Sequence, residues 1–250
     1  LKNGKHRVTV TKLTEGREAI AGLISLSGEA TDGGFKFVKP KQKPKLKLEF
    51  YGDSLTVGHG VKGSNSTSAF ETKDEDPTLC YSGVATELLG AEANFFAYSG
   101  MSLAIEGRFY SPLLLDTFDT VCNANYPDKK WDFSKYVADV VIINIGANDW
   151  SSIKYFYSDK KEEKIKVVKT SYVALIEKIK AVNPTAKIVC ITDEYHKSKG
   201  INDAIEAAAA ETGVYTVALY SNGLGSAAHP DAQAGEIAGK QLADFIKTIL

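Results

Sequence analysis

The sequence is short of the features that announce a metal, a membrane or a nucleic-acid partner. It has only three cysteines, Cys80, Cys122 and Cys190, too few for a disulfide framework. They form no Cys-x-x-Cys pair or His/Cys cluster, so neither a metal nor a cofactor is expected, and they leave the redox compartment open. Cys190 sits in the apolar run 187–192 and reads as a small core residue. No apolar stretch approaches the roughly 20 residues needed to span a bilayer. With 30 basic and 31 acidic side chains the net charge is -1, which gives no reason to expect nucleic acid or a membrane surface as partner. The start, with Lys2, Lys5, His6 and Arg7 close together, is unlike a signal peptide. Beginning at Leu1, the chain is read as a processed product. Nothing in the residues sets the oligomeric state.

What is present divides near residue 40. Residues 6–11 alternate, 19–27 carry β-favouring apolar residues, and Gly33-Gly34 turns into Phe35-Lys36-Phe37-Val38. This pattern predicts short antiparallel strands over residues 1–39. The prolines and lysines of the following stretch suit an extended linker, 40–45. From residue 46 to 250 strands and helices alternate. Strands are expected near 46–51, 93–97, 138–145, 187–192 and 214–219, and helices near 78–89, 160–182, 202–211 and 231–249. In the long helix Ile165, Val168, Tyr172, Leu175, Ile176 and Ile179 recur at helical spacing, and Asn183-Pro184 stops it. Such alternation predicts an α/β fold with a parallel sheet of about five strands between two helical layers. Sites in open sheets of this kind form beyond the carboxyl ends of the strands.

Three strand ends carry candidate chemistry. Gly52-Asp53-Ser54-Leu55 closes the first strand, and Ser54 there can aim both its hydroxyl and its N–H at a ligand, as an acyl-transfer nucleophile must. The second ends in Tyr98-Ser99-Gly100, the third in Gly146-Ala147-Asn148-Asp149-Trp150. His229 follows the last strand in Ala228-His229-Pro230. Each has a bland alternative: an Asx turn at Asp53, a structural histidine, core packing for Trp150. Gly100-Met101-Ser102 approximates a nucleophile elbow but lacks the second glycine. Gly223-Leu224-Gly225-Ser226-Ala227-Ala228 matches a dinucleotide pattern in the wrong place, after the last strand. Asp74-Glu75-Asp76 reads as an acidic loop ahead of a helix start.

Taken in order, Gly-Asp-Ser-Leu, Gly100, Gly-Ala-Asn-Asp and His229-Pro230 resemble the signatures of the SGNH, or GDSL, hydrolase superfamily. Residues 5–12 with Thr14-Glu15, residues 50–60, Trp131-Asp132-Phe133 and residues 141–146 resemble carbohydrate esterase family 2 more narrowly. The resemblance implies a flavodoxin-like catalytic domain over 46–250, preceded by part of a jelly-roll-like β-sandwich. It implies a secreted or cell-surface acetyl esterase acting on acetylated plant cell-wall polysaccharides of the xylan or glucomannan type. Ser54 would be the nucleophile and His229 its base, with the Ser54 N–H, Gly100 and Asn148 as oxyanion hole. Trp150, directly after Asn148-Asp149 and so near the pocket mouth, is a candidate sugar-stacking surface. Many superfamily members orient the histidine with an Asp three residues earlier, where this chain has Ser226. The resemblance therefore implies a Ser-His dyad with a backbone carbonyl holding the imidazole; Asp193 and Glu194 are the outside candidates. The rivals are a lipase or thioesterase of the same superfamily and a non-catalytic carbohydrate-binding protein.

Overall fold

The computed structural model describes residues 4–18, 20–29, 34, 36–38, 44–107, 113–122, 126–193, 199–220 and 222–250. The elements run β1 (Lys47–Gly52), α1 (Ser54–Val57), α2 (Tyr81–Leu88), β2 (Glu92–Ala97), α3 (Leu114–Thr117), β3 (Thr120–Cys122) and β4 (Tyr126–Lys130). They continue with β5 (Val140–Asn144), α4 (Ala147–Phe156), α5 (Lys161–Val182), β6 (Lys187–Asp193), α6 (Lys199–Thr212), β7 (Tyr215–Leu219) and α7 (Ala232–Ile249). The main sheet has the order β2-β1-β5-β6-β7 and every pairing in it is parallel. β3 and β4 form a separate antiparallel hairpin.

The two-residue period of the strands sorts the core into two layers. Leu48, Phe50, Val140, Ile142, Val189 and Ile191 meet Tyr81 and Ala85 of α2 and Leu242 and Ile246 of α7. Tyr51, Val141, Ile143, Ile188 and Cys190 face the other way, onto Ile153 of α4, Leu175 and Ile179 of α5, and Ile205 of α6. Both faces are covered, so β5 is buried at every residue. The α/β sandwich read from the sequence is present, with the expected elements displaced by a few residues at most. Helix α2 begins at Tyr81 because the Asp76 carboxylate first takes the Thr78 N–H and hydroxyl in an Asx turn.

β1 lies between β2 and β5; helix α2, which follows β1, covers one face of the sheet, and α4 and α5, which follow β5, cover the other. This is the reversal at which a crevice opens beyond the strand ends. Gly52 ends β1 because a Cβ there would lie 2.0 Å from Thr56 Oγ1 and 2.9 Å from the Asn144 carbonyl. Thr56 in turn bonds Tyr81 at 2.6 Å, and its carbonyl accepts the Ser82 hydroxyl at 2.8 Å. The short α1 is thereby tied to α2.

The antiparallel strands expected in the N-terminal segment do not form among its described residues. Val8, Val10, Ile20, Leu23, Ile24 and Leu26 are exposed instead; isolated strands without a facing layer have too little to bury. Most of the expected linker, residues 40–43, lies outside the described residues.

Helices α2 and α7 approach closely at Gly235 and Gly239. A Cβ on Gly235 would stand 2.0 Å from the Leu79 carbonyl, and backbone cannot swing aside. Gly235→Ala is therefore expected to cost about 1–3 kcal/mol by overpacking, read from urea unfolding. A loss below ~0.5 kcal/mol would show that the two helices are free to separate there.

Candidate active site

Ser54 follows β1 as the first residue of α1, where its backbone N–H has no intrahelical partner. Asp53 caps the helix by accepting the Leu55 N–H at 3.0 Å. From the other end of the chain His229 arrives in front of α7, and its Nε2 lies 2.8 Å from Ser54 Oγ. His229 Nδ1 lies 3.0 Å from the Ala227 carbonyl oxygen, to which it can donate. Burial pushes the imidazole below its ordinary value, and the Ala227 and Ser226 carbonyls work against that shift. Asp231, two residues on, is occupied as the N-cap of α7, accepting from Ala234 N at 2.9 Å and Leu224 N at 3.1 Å. Of the outside candidates, Glu194 lies beyond the described residues and of Asp193 only the backbone is described.

The loop that presents His229 is bent against its preference. Ala227 and Ala228 take φ of 53° and 60°, a left-handed conformation that costs a side-chain-bearing residue about 1–2 kcal/mol. The segment between α1 and α2 holds it there. Ser226 N, Ala227 N and Ala228 N donate to the carbonyls of Gly60, Ser68 and Ser66 at 2.9, 2.9 and 3.0 Å. The buried Ser226 hydroxyl lies 3.1 Å from the Asp74 carboxylate. Gly60 and Gly63 allow the approach, since a Cβ on either would fall within 2.4 Å of Ser226 atoms. Sequence reasoning missed Asp74 in this role, taking it for part of a solvated acidic loop.

A second imidazole, His59, stands close to His229. Its ring stacks on Phe70 with centroids 3.6 Å apart and stands 4.7 Å from the His229 ring. Its Nδ1 lies 3.1 Å from Ser99 Oγ. Burial and the neighbouring His229 hold it down at about 4.

Gly100 takes φ of 84° at the turn after β2, a conformation suited to glycine. Asn148 sits in the first turn of α4, where its amide nitrogen lies 2.8 Å from the Met101 carbonyl and 3.3 Å from Asp53 Oδ2. Its neighbour Asp149 is fully buried and accepts the backbone N–H groups of Leu103, Ala104 and Ile105 at 2.7–2.9 Å. Asp149 thus pins the Gly100 loop to α4, a function the Gly-Ala-Asn-Asp block did not disclose. Trp150 is half-buried, its ring packed against the α5-side core on one side and under the Lys161 ammonium at 4.9 Å. A cavity of about 30 Å³ reaches Ser54 and is lined by Leu55, Val61, Tyr81, Leu219 and Pro230.

A serine at the first strand tip, bonded to a histidine that precedes the last helix of a 2-1-3-4-5 sheet, defines a serine-hydrolase type of architecture. Residues 50–238 match the GDSL-like Lipase/Acylhydrolase family, and the chain belongs to it. It is 33% identical over 191 residues to the cellulase/esterase CelE of Acetivibrio thermocellus, covering 76% of this chain and 22% of that protein. It is 30% identical over 162 residues to an acetylxylan esterase/glucomannan deacetylase of Cellvibrio japonicus, covering 61% and 42%. A family two carbohydrate esterase from Clostridium thermocellum, solved with cellohexaose, superposes with a TM-score of 0.72 at 27% identity. That match covers 86% of this chain and 67% of the other. The resemblance to carbohydrate esterase family 2 read from the sequence is borne out. The chain spans less than half the length of the curated relatives it matches.

The two histidines make a direct test of this geometry. Nitrogen-detected NMR should show His59 still neutral at pH 5.5 and His229 protonating below 6.5, because burial disfavours the cation at both. The sign for folding follows: each group's stabilisation is present above 6.5 and lost as pH falls through its lowered folded value. A His59 midpoint near 6.5 would mean that its ring is open to water.

Proposed function

We propose that this chain is a serine esterase that removes O-acetyl groups from plant cell-wall polysaccharides of the xylan or glucomannan type. The observation that carries the proposal is the 2.8 Å contact between Ser54 Oγ and His229 Nε2, with the Ala227 carbonyl on the far nitrogen. Ser54 is the nucleophile and His229 the general base. His229 Nε2 takes the Ser54 proton as Oγ attacks the acetyl carbonyl carbon. The tetrahedral oxyanion is stabilised by the Ser54 and Gly100 N–H groups and by the Asn148 amide. Nε2 then hands its proton to the departing sugar oxygen, and activates water against the acetyl-enzyme in the second half. No metal or cofactor enters either step.

The Asn148 amide has to turn for this role. Its bond to Asp53 is long at 3.3 Å, weak enough to yield to a developing oxyanion, and catalytic hydrogen bonds often tighten only in the transition state. Ala227 holds the imidazole by a neutral carbonyl in place of a carboxylate, so the base keeps a depressed affinity for protons. The names of the similar proteins support a xylan or glucomannan substrate, and the near-neutral charge suits an uncharged glycan partner.

The remaining assignments belong to the same reading. Residues 1–39 are taken as part of a β-sandwich, 40–45 as linker and 46–250 as the catalytic domain. The exposed apolar residues from Val8 to Leu26 support this reading, since they are the apolar surface a sandwich would bury. A polysaccharide substrate supports secretion or display at the cell surface. Trp150 is assigned a sugar-stacking role on the strength of its half-exposed ring, with Lys161 moving off its face on binding.

Nitrophenyl acetate and acetylated xylan test the proposal. Wild type should hydrolyse both, and Ser54→Ala should lose at least about 10³-fold in kcat. The acid limb of kcat/KM should have its midpoint below 6.5, because only neutral His229 is a base and burial keeps it neutral to lower pH. A midpoint above 6.5 would point to a carboxylate behind His229. Butyrate and longer esters turned over faster than acetate would favour a lipase or thioesterase, and Trp150→Ala should raise KM on xylan while leaving nitrophenyl acetate unchanged.

A further inference from the structure

In the N-terminal segment, where most side chains face water, Glu15 is 6% exposed. Its carboxylate accepts the Ser99 N–H at 2.7 Å. Arg17 donates to the Ser99 carbonyl at 2.9 Å. Ser99 in the β2 turn is thus held through both its backbone groups by residues more than eighty positions earlier, and its carbonyl shares a peptide unit with the Gly100 N–H. The Glu15 N–H donates to Glu75 Oε1 at 2.8 Å, and Thr72 bonds Glu18 at 3.1 Å. Glu75 directly follows Asp74, which holds Ser226. The segment 15–18 therefore bridges the turn that carries Gly100 and the loop that supports His229.

Packing alone does not explain this arrangement. Glu75 is 1% exposed, and Glu15 Oε1 and Glu75 Oε2 are buried with no hydrogen-bond partner among the described residues. Burial pushes both carboxyls above their usual range, Glu75 to about 7 with the Glu15 charge adding to it. Two buried carboxyls with unsatisfied oxygens are a net cost to folding. What the chain gains is a fixed Ser99–Gly100 peptide. An oxyanion donor has to stand within a few tenths of an ångström of its place before the charge develops.

We propose that Glu15, assisted by Arg17, is a positioning residue for acyl transfer, fixing the Ser99 peptide so that the Gly100 N–H faces the oxyanion. The proposal rests on the esterase reading above. It makes the N-terminal segment a working part of the catalytic site. Loss of the grip should act on the transition state, where the oxyanion forms, and leave substrate binding nearly intact.

The test uses the full chain as wild type, Glu15→Ala, Glu15→Gln and Arg17→Ala. Glu15→Ala should lower kcat on nitrophenyl acetate about 10- to 100-fold, the range for a displaced donor, with KM within about twofold. Glu15→Gln keeps an oxygen for the Ser99 N–H and should recover most of the rate. Arg17→Ala should show a smaller loss, also confined to kcat. Hydrogen exchange of the peptide spanning residues 98–103 should quicken in Glu15→Ala and stay slow in Glu15→Gln, with α5 unchanged in both. Full kcat in Glu15→Ala, or exchange at 98–103 unaffected by it, overturns the proposal. If Glu15→Ala unfolds, a wild-type kcat in Arg17→Ala together with wild-type exchange at 98–103 in that variant overturns it equally. An inactive wild type overturns the esterase reading and the catalytic role with it, whereas an active wild type beside a fully active Glu15→Ala overturns the positioning role alone.

Discussion

The 2.8 Å hydrogen bond between Ser54 and His229 joins two residues separated by 175 positions, and most of the irregular structure exists to make it form. The sheet alone supplies only half of it. β1 is a rigid central strand, buried on both faces, and it delivers Ser54 with little freedom. His229 arrives on a loop, and a loop has to be held. The holding is done by three backbone bonds from the segment after α1, by two glycines that let it approach, and by the Asp74–Ser226 contact. Together these offset the left-handed strain at Ala227 and Ala228. That strain is what turns the Ala227 carbonyl toward His229 Nδ1.

Ser226 shows how a third partner can be moved one step away. Where an orienting carboxylate would touch the imidazole directly, here a carboxylate orients the loop, and the loop's carbonyl orients the imidazole. The charge stays at Asp74, out of contact with the ring through this path. A neutral carbonyl stabilises the imidazolium less than a carboxylate does. The carbonyl contacts only partly offset burial, which still holds His229 below its ordinary value.

The regular part of the molecule was legible in the sequence because it is periodic. Alternation in the strands and the helical spacing from Ile165 to Ile179 are local signals, and α5 ends at Val182, just before Asn183-Pro184, as those signals require. Ser54 and His229 were legible because each stands beside a recognisable punctuation, Gly52-Asp53 and Pro230. What escaped notice lacks both properties. Asp74 meets Ser226 across 152 positions and Glu15 meets Ser99 across 84, and nothing near either residue marks the partner. Helix α4 was hidden for a different reason: Gly-Ala-Asn-Asp serves as strand tip and helix start at once, so its first turn looked like loop. Its helical twist also carries Trp150 round from Asn148 toward the α5 side.

The most direct measurement is the labelling of wild type and Asp231→Asn by a fluorophosphonate, with the modified residue read by mass spectrometry across pH. The account predicts one phosphonyl group on Ser54, and a rate that falls on acidification with a midpoint below 6.5. Asp231→Asn should be labelled at the wild-type rate, since Asn also caps α7 and the Ala227 carbonyl still holds His229. Labelling of another serine, or a rate that collapses in Asp231→Asn while the fold persists, would contradict a carbonyl-held Ser54–His229 pair.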